Sequence, residues 1–351
     1  MNPAAPVRSR RGHGRATLAD VAREAGVTSI TVSRFLREPH KVAAETAARI
    51  EAALAATGYV PNKQAGVLAA GTAPAAWGMV AAIIPSIANS IFAETVQGLS
   101  DGLAAAGHEL LLASTGYSTE REEAQIRAVL GWFPSALIVT GRHHTPDALA
   151  LLQAARERGT PVIEIWDRHA GGGFAQVGFD HARVGRAMAE HLIARGHRAL
   201  AYVDSGVAED FRAHERGAGF ARAAKAAGAT VRTLVAPAGD AFDAGRSALR
   251  SLLDGKGRPH VQAAAFANDH LASGAMLEAR ARGLKVPRQI ALLGFGDFPI
   301  GRQFDPPLST LRPPRYEIGA EAARQVLAAL RDGAAPADVD LPWELVARGS
   351  T

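Results

Sequence analysis

A short segment near the amino terminus, residues 29–34, carries side chains that suit the recognition of base edges and phosphates. Ser29, Thr31 and Ser33 are small and polar, Arg34 carries a guanidinium group, and Ile30 is apolar. Hydroxyl and guanidinium groups form hydrogen bonds in the major groove of double-stranded DNA. Ile30 lacks such a group, so we expect it to contact a thymine methyl group or merely to exclude other bases.

A second set of residues suits a small anion. Arg142, Arg168, Arg212 and Arg216 each lie shortly after an apolar run of the sequence. A guanidinium group binds a carboxylate through two parallel hydrogen bonds, so these arginines favour an acidic ligand. For any single one of them, solvation or pairing with Asp or Glu is the alternative.

The elements around the first set have the pattern of a helix-turn-helix. Thr17 and Asp20 suit the start of one helix, and Gly26 suits a left-handed residue at its end. Thr28 then suits the start of a second helix that carries residues 29–34. This arrangement places one short helix in a DNA groove.

Apolar spacing predicts how the head packs. Val32, Phe35 and Leu36 recur at helical spacing and should face inward. A third helix, from about Val42 to Thr57 and stopped at Gly58, would complete a three-helix core. An ordinary helical hairpin is the alternative.

The distribution of charge supports a phosphate-bearing partner for the head. Residues 1–63 contain ten Lys and Arg against five Asp and Glu, whereas the remaining residues contain 29 of each. The whole excess of +5 therefore lies beside the helix-turn-helix, where phosphates would attract it.

Residues 58–76 have the pattern of a hinge. Pro61 ends the third helix, Asn62 suits the start of a new short helix, and Leu68 lies near its end among small residues. Leu68 is either a core residue or a wedge between base steps in the minor groove. Residues 64–76 carry no charge and are rich in Ala and Gly, as in a connector.

The head and hinge resemble the lactose-repressor family of bacterial transcription factors. The resemblance is carried by TLADVAREAGVTSITVSR (17–34), GYVPN (58–62) and Leu68. It implies base reading at the positions of Ser29 and Ile30, phosphate contacts from Asn62 and Lys63, and a homodimer on a pseudo-palindromic operator. The predicted DNA-contacting set is Thr17, Thr28, Ser29, Ile30, Thr31, Ser33, Arg34, Asn62, Lys63 and Leu68.

From residue 77 onward, apolar runs alternate with helical stretches, which predicts parallel sheets covered on both faces. The runs are 78–85, 109–114, 136–141, 161–166, 175–180, 199–204, 263–268 and 290–295. The resemblance extends here and implies a periplasmic-binding-protein-like α/β core of two doubly wound subdomains, with a ligand between them.

The predicted domain boundaries follow from these patterns. They are a basic disordered arm at 1–16, a helix-turn-helix head at 17–61, a hinge helix and linker at 62–76, and a core at 77–351. Within the core the resemblance implies one subdomain at about 77–175 and 307–334 and another at about 176–306 and 335–351, with three connections between them.

Ligands of open α/β sheets bind at the carboxyl ends of the strands. This rule selects the predicted effector-binding set, which is Ser86, Asn89, Phe92, Arg142, His143, Trp166, Asp167, Arg212, Arg216, Asn268, Asp269, Phe295 and Asp297. Arg216, Asn268 and Asp269 also match positions that the resemblance associates with the effector.

A sugar acid fits these residues better than a neutral sugar. The GFGD segment at 294–297 lacks a carboxylate that other family members direct at a sugar hydroxyl; either Asp297 partly replaces it or the ligand is itself an anion, and we prefer the second reading. The chain resembles the gluconate-operon repressor subgroup in VTSITVSRFLREP (27–39), RHHTPDAL (142–149) and VGFD (177–180).

Two residues of the apolar run 161–166, Glu164 and Trp166, each allow two interpretations. Trp166 suits either core packing or stacking against a sugar ring. Glu164 is either a hydrogen-bond acceptor in the cleft or a member of a buried pair, because an unpaired buried carboxylate is costly.

Other classes of protein fit the sequence less well. The chain lacks cysteine, an apolar leader and a membrane-length apolar segment, so we expect a cytoplasmic protein. No nucleotide-binding, hydrolase or zinc motif appears, so we expect no catalytic residue, cofactor or metal site. The alternative is a sugar-binding or sugar-acid-binding protein or enzyme with the same core but without specific operator binding.

Overall fold

The structure, a computed structural model of the 351-residue chain, describes residues 16–60, 78–88 and 90–351. The chain forms two units, and the division between them lies between Trp77 and Gly78. The arm, Asn62, Lys63, Leu68, Asn89 and the predicted hinge lie outside the described residues.

The first unit contains three helices, α1 (Leu18–Ala25), α2 (Ser29–Arg37) and α3 (Ala44–Thr57), with a 3₁₀ turn at Pro39–Lys41. Thr17 and Asp20 form the predicted capping box of α1, and Gly26 ends it at φ 63°. The Thr28 hydroxyl accepts a hydrogen bond from the backbone N–H of Thr31 and caps α2. Local capping therefore fixes both short helices.

The three helices enclose one apolar core. Val21, Val32 and Ile50 are fully buried in it, and Leu36 packs against it from a half-buried position. The helical hairpin is excluded because α3 contributes to this core. The start of the third helix was predicted two residues too early, because Pro39 first directs the chain into the 3₁₀ turn.

The second unit alternates strands and helices. In chain order its elements are β1 (Met79–Ile84), α4 (Ala93–Ala104), β2 (Glu109–Ser114), α5 (Thr119–Leu130), β3 (Ala136–Thr140), α6 (Pro146–Glu157), β4 (Val162–Ile165), β5 (Ala175–Gly178), α7 (His181–Ala194), β6 (Ala199–Asp204), α8 (Phe211–Ala226), β7 (Thr230–Val235), α9 (Ala241–Ser251), β8 (Ala263–Phe266), α10 (Asp269–Ala281), β9 (Ala291–Phe295), β10 (Ser309–Arg312), α11 (Arg315–Asp332), β11 (Val339–Asp340) and β12 (Glu344–Val346).

These strands form two six-stranded sheets, which define two subdomains. The first sheet has the order β11-β5-β4-β3-β1-β2 and is parallel throughout. The second has the order β12-β10-β9-β8-β6-β7, in which only β12 is antiparallel. Both sheets direct the carboxyl ends of their central strands toward one cleft, as the doubly wound pattern predicts.

The strand pairings place the subdomain boundaries differently from the prediction. Residues 176–178 and β11 pair within the first sheet, whereas β10 pairs with β9 in the second. The chain therefore passes between the subdomains after β5, after β10 and after β11. These three crossings agree in number with the prediction but not in position.

Glycine allows close helix packing in the second subdomain. A methyl group on Gly185 of α7 would overlap the backbone carbonyl of Arg216 on α8. A methyl group on Gly219 of α8 would likewise overlap Ala182 on α7. Helix α8 is therefore held directly against α7. Among the described residues, no helix combines the length and apolarity required to cross a membrane.

Candidate functional site

The outer face of α2 presents the predicted base-reading residues. The Ile30 side chain is 71% exposed, and Arg34 is also exposed, without an ion pair to any described residue. Ser29, Thr31 and Ser33 are half-buried on the same helix. An exposed isoleucine next to small hydroxyl groups gives α2 the polar and apolar contacts that a major groove requires.

Two predicted DNA contacts have a structural role. Thr17 Oγ1 lies 2.6 Å from Asp20 Oδ2, and Thr28 Oγ1 lies 2.9 Å from Thr31 Oγ1. Both threonine hydroxyls also accept a backbone N–H at a helix start. They position α1 and α2, and their contact with DNA stays a prediction.

A small cavity lies between the subdomains at the carboxyl ends of the strands. Six residues of the predicted effector set line it: Phe92, Trp166, Arg212, Arg216, Asn268 and Phe295. The sequence reasoning missed His181, Tyr117 and Asp210, which also line it. The strand-end rule therefore located the cleft but not every side chain that loops and helix starts add to it.

Arg216 is the most constrained cation of the cavity. It is 5% exposed, and its guanidinium carbon lies 4.0 Å from the centroid of the Phe295 ring. One terminal nitrogen donates to the carbonyl of Ala267 at 2.9 Å, and the other lies 2.9 Å from His181 Nδ1. Its buried Nε has no partner among the described residues. A donor therefore remains for a ligand.

His181 is a neutral acceptor beside this arginine. Burial, and then the charges of Arg216 and Arg212, hold the pKa of the ring well below its usual range. Its Nε2 lies 2.8 Å from the Trp166 carbonyl oxygen, so Nε2–H donates there and Nδ1 accepts from Arg216. The sequence signal that could have found it is its position directly after the Asp180 cap of α7.

Arg212 and Asp167 approach each other beside Gly141. A Cβ atom at Gly141 would lie 2.7 Å from Arg212 Nη1 and 3.2 Å from Asp167 Oδ2. Arg212 is buried, yet it donates no hydrogen bond to a described residue, and Asp167 Oδ2 is a buried oxygen without a described partner. Burial raises the pKa of Asp167 to about 6, although Arg212 lowers it. An unused donor and an unused acceptor therefore lie near each other beside Gly141.

Arg142 and His143 lie where the subdomains meet, beside a second cavity that His143, Gly141, Phe211 and Arg212 line. Arg142 forms an ion pair with Glu215 on α8. The His143 ring stacks on Phe211 with centroids 4.2 Å apart. The predicted set therefore includes contacts that cross the cleft.

Five predicted effector residues line neither cavity: Ser86, Arg142, Asp167, Asp269 and Asp297. Asp269 accepts hydrogen bonds from Thr310 Oγ1 at 2.7 Å and from the Phe298 N–H at 2.8 Å. Ser86 follows β1 but lines neither cavity. Asp297 is surrounded by Arg302, Arg312 and Arg348.

The contacts of Asp297 account for its placement. Although burial raises its pKa, hydrogen bonds from the arginines outweigh this and hold the pKa at about 2. Asp297 is therefore a structural anion and does not replace the carboxylate missing from GFGD. The glycine at position 294 also has a local reason, because a methyl group there would overlap the Asp269 carboxylate.

The contacts of Trp166 and Arg168 decide between their two interpretations. Trp166 is 1% exposed, lies edge-on to Phe92 and Phe179, and donates its indole N–H to Thr95, so it packs mainly in the core while also lining the cavity. Arg168 lies 3.2 Å from Asp338 and does not line either cavity.

Glu164 belongs to a buried charged group. Its side chain and that of His144 are each 3% exposed, and the His144 ring lies between Glu122 at 2.7 Å and Glu164 at 3.4 Å. Burial lowers the pKa of His144, but the two carboxylates outweigh it and raise the pKa to about 9. Adjacent histidines on a loop are usually polar surface, but His144 is buried. A loop histidine can be buried when carboxylates in the interior pair with its ring.

A three-helix head with an exposed reading helix, followed by a two-subdomain core with a polar cleft, defines a DNA-binding transcriptional regulator with a periplasmic-binding-protein-like core. A model of bacterial regulatory proteins of the lacI family matches residues 17–62, and a periplasmic binding protein-like domain matches residues 189–351. The chain is 40% identical to the HTH-type transcriptional regulator GntR of Pseudomonas aeruginosa over 98% of each chain. It therefore belongs to the lacI family.

Solved structures agree with this assignment. A lacI-family transcriptional regulator from Silicibacter pomeroyi has a TM-score of 0.87 at 32% identity, over 95% of this chain and 99% of that one. The lac repressor dimer bound to operator and the anti-inducer ONPF has a TM-score of 0.79 at 25% identity, over 96% and 99%.

Proposed function

We propose that this regulator is a homodimeric repressor of a pseudo-palindromic operator and that a sugar acid, gluconate or a relative, binds in its cleft and changes its affinity for the operator. The observation that carries the effector part is the pair of buried arginines, Arg212 and Arg216. Both line one cavity, and each keeps donor capacity that no described residue uses.

The charge of the cleft favours a carboxylate. Burying a guanidinium group is costly unless an anion compensates it. Arg216 pairs with a neutral histidine and a carbonyl oxygen, and Arg212 pairs with neither a carboxylate nor a carbonyl among the described residues. A ligand carboxylate accepts such unused donors and brings a negative charge to the cleft, whereas the hydroxyl groups of a neutral sugar bring no charge. Asp167 then suits a hydroxyl group of the same ligand.

The reading helix supports the DNA part of the proposal. Ile30 and Arg34 are exposed on α2, and one such helix makes few base contacts. A symmetric dimer doubles these contacts on two matched half-sites. The lac repressor, a structural relative, is described as a dimer bound to operator. In this proposal, residues 1–16 act as a basic arm, and residues 62–76, with Asn62, Lys63 and Leu68, act as the hinge.

Coupling between cleft and operator needs only a modest energy. A ligand that prefers one cleft geometry shifts the population of that geometry. A coupling free energy of about 1–3 kcal/mol changes operator affinity by about 5- to 150-fold.

A thermal-shift screen tests the effector class. The full chain is heated with gluconate, its phosphate and 2-keto relatives, and neutral hexoses of similar size. We expect stabilisation by one or more of the acids and none by the neutral sugars, because binding to the folded state raises the melting temperature. Stabilisation by neutral hexoses alone would contradict a carboxylate-binding cleft.

A further inference from the structure

Glu215 places a carboxylate against Arg142 and His143 of the opposite subdomain. It lies on α8, between Arg212 and Arg216 in sequence, and forms an ion pair with Arg142, which follows β3. The same oxygen, Oε1, lies 3.6 Å from His143 Nε2. The three side chains are 24–36% exposed, so this contact lies at the mouth of the cleft and not in its core.

The surroundings of Glu215 keep it ionised. Burial raises its pKa, but the contacts with His143 and Arg142 outweigh this, so the pKa lies below its usual value. The nearby charged and titratable groups from the first subdomain are Arg142, His143, Asp167 and His169. Glu215 is thus an anion held by the residues that the sequence predicted to bind an effector.

We propose that Glu215 is a specificity-determining residue that stands in for the effector carboxylate, holding Arg142 in the ligand-free cleft until a sugar acid displaces it. This inference rests on the proposed function and adds the regulation of the same site. The guanidinium fork of Arg142 presents its paired donors to one carboxylate at a time. An anionic ligand exchanges one ion pair for another, whereas a neutral ligand would lose the pair without replacement.

A ligand must displace Glu215 before it can bind Arg142, and this displacement costs free energy. A partly exposed ion pair contributes a small free energy, so its loss should not unfold the protein. Removing the charge of Glu215 frees Arg142 and should therefore strengthen the binding of an anion that uses Arg142.

The test is calorimetric titration of the full chain with D-gluconate. We expect Glu215→Gln to bind gluconate about three- to fivefold more tightly than the wild type, the upper part of the range that one partly exposed ion pair supports. Glu190→Gln is the matched control, because it removes the same charge from an exposed site on α7; its affinity should stay within about twofold of the wild type. If Glu215→Gln does not fold, Glu215→Ala replaces it.

A double-variant cycle completes the test. In an Arg142→Ala background, Glu215→Gln should bring no gain, because no guanidinium is left to release. An unchanged or weaker affinity for Glu215→Gln would overturn the role of Glu215, and so would an equal gain in the Arg142→Ala background. Gluconate binding by the wild type would in either case still support gluconate as the effector. Gluconate binding by neither the wild type nor Glu215→Gln would overturn gluconate as the effector as well.

Discussion

At the residue scale, the cleft works through protonation states that burial enforces. His181 stays neutral beside two arginines, so it accepts from Arg216 and adds no further positive charge. Arg216 is held flat against Phe295 and keeps Nε unpaired. The site is therefore arranged before a ligand arrives, which lowers the entropic cost of binding.

Removal of Arg216 tests this arrangement. We expect Arg216→Ala to weaken gluconate binding by more than about 100-fold, since charge-assisted hydrogen bonds contribute about 1.5–3 kcal/mol each. Operator binding without effector should persist. Titration calorimetry measures the first effect, and Arg222→Ala, an exposed arginine of the same helix, is the control. Normal gluconate affinity in Arg216→Ala would remove this arginine from the site.

Asp167 gives a pH-dependent prediction. Its pKa is raised from 3.8 to about 6, so the folded state holds the proton more tightly than the unfolded state does. The stability that it contributes is complete below pH 3.8 and is lost as the pH rises through about 6. Asp167→Asn should therefore gain up to about 3 kcal/mol in the free energy of unfolding, relative to the wild type, between acid and neutral pH.

Denaturant unfolding of the ligand-free chain at several pH values measures this gain. Asp147→Asn removes an exposed carboxyl group and should show no comparable change. A stability difference between Asp167→Asn and the wild type that is independent of pH would show that the Asp167 carboxyl group is not desolvated.

Ile30 gives a prediction for the DNA-reading face. Ile30→Ala should leave the melting temperature of the head unchanged, because the side chain is 71% exposed. Loss of its base contact should lower operator affinity by about five- to thirtyfold, or about 1–2 kcal/mol. Phe35→Ala, which truncates a core residue, should instead lower both stability and affinity. Fluorescence anisotropy on operator DNA and thermal melts separate the two effects; full affinity in Ile30→Ala would place the isoleucine away from the bases.

At the element scale, the sequence predicted what depends on local pattern. Apolar parallel strands such as β1 and β3 are buried on both faces, so their runs are visible in the sequence. β7 is an edge strand with exposed residues and Arg232 in its middle. β10 to β12 are shorter than the apolar runs that predict strands in the sequence. Their pairing is a tertiary property, and so is the position of each crossing between subdomains.

The same dependence on tertiary packing explains why the sequence did not reveal every residue of the site. Arg212 and Arg216 follow a predicted strand, but Glu215 and His181 acquire their roles only when α8 packs against α7 and meets residues 142–143. Asp297 shows the opposite error: it was predicted to bind the effector, but the nearby Arg302 and the more distant Arg312 and Arg348 converge on it.

Packing of α7 against α8 gives a prediction of its own. Gly185→Ala should destabilise the core strongly and weaken gluconate binding, since the added methyl group displaces the backbone at Arg216. Gly255→Ala is the matched control, because a Cβ there meets nothing within 4 Å. Thermal melts and calorimetry measure both effects; wild-type stability in Gly185→Ala would contradict the close packing of the two helices.

At the scale of the whole molecule, charge and ligand chemistry are divided along the chain. The basic excess lies in residues 1–63, and the cleft arginines lie in the electrically balanced remainder. This division fits a protein whose amino-terminal part binds phosphate-rich DNA while a separate core responds to a small anion. The central claim is that the two activities are linked.

The most direct test selects duplexes from a randomised pool with the full chain and measures the affinity of the selected duplex with and without saturating gluconate. We predict enrichment of an inverted repeat and a change of about 5- to 150-fold in its affinity when gluconate is added. Enrichment of no inverted repeat, or an operator affinity that no sugar acid changes, would contradict this claim.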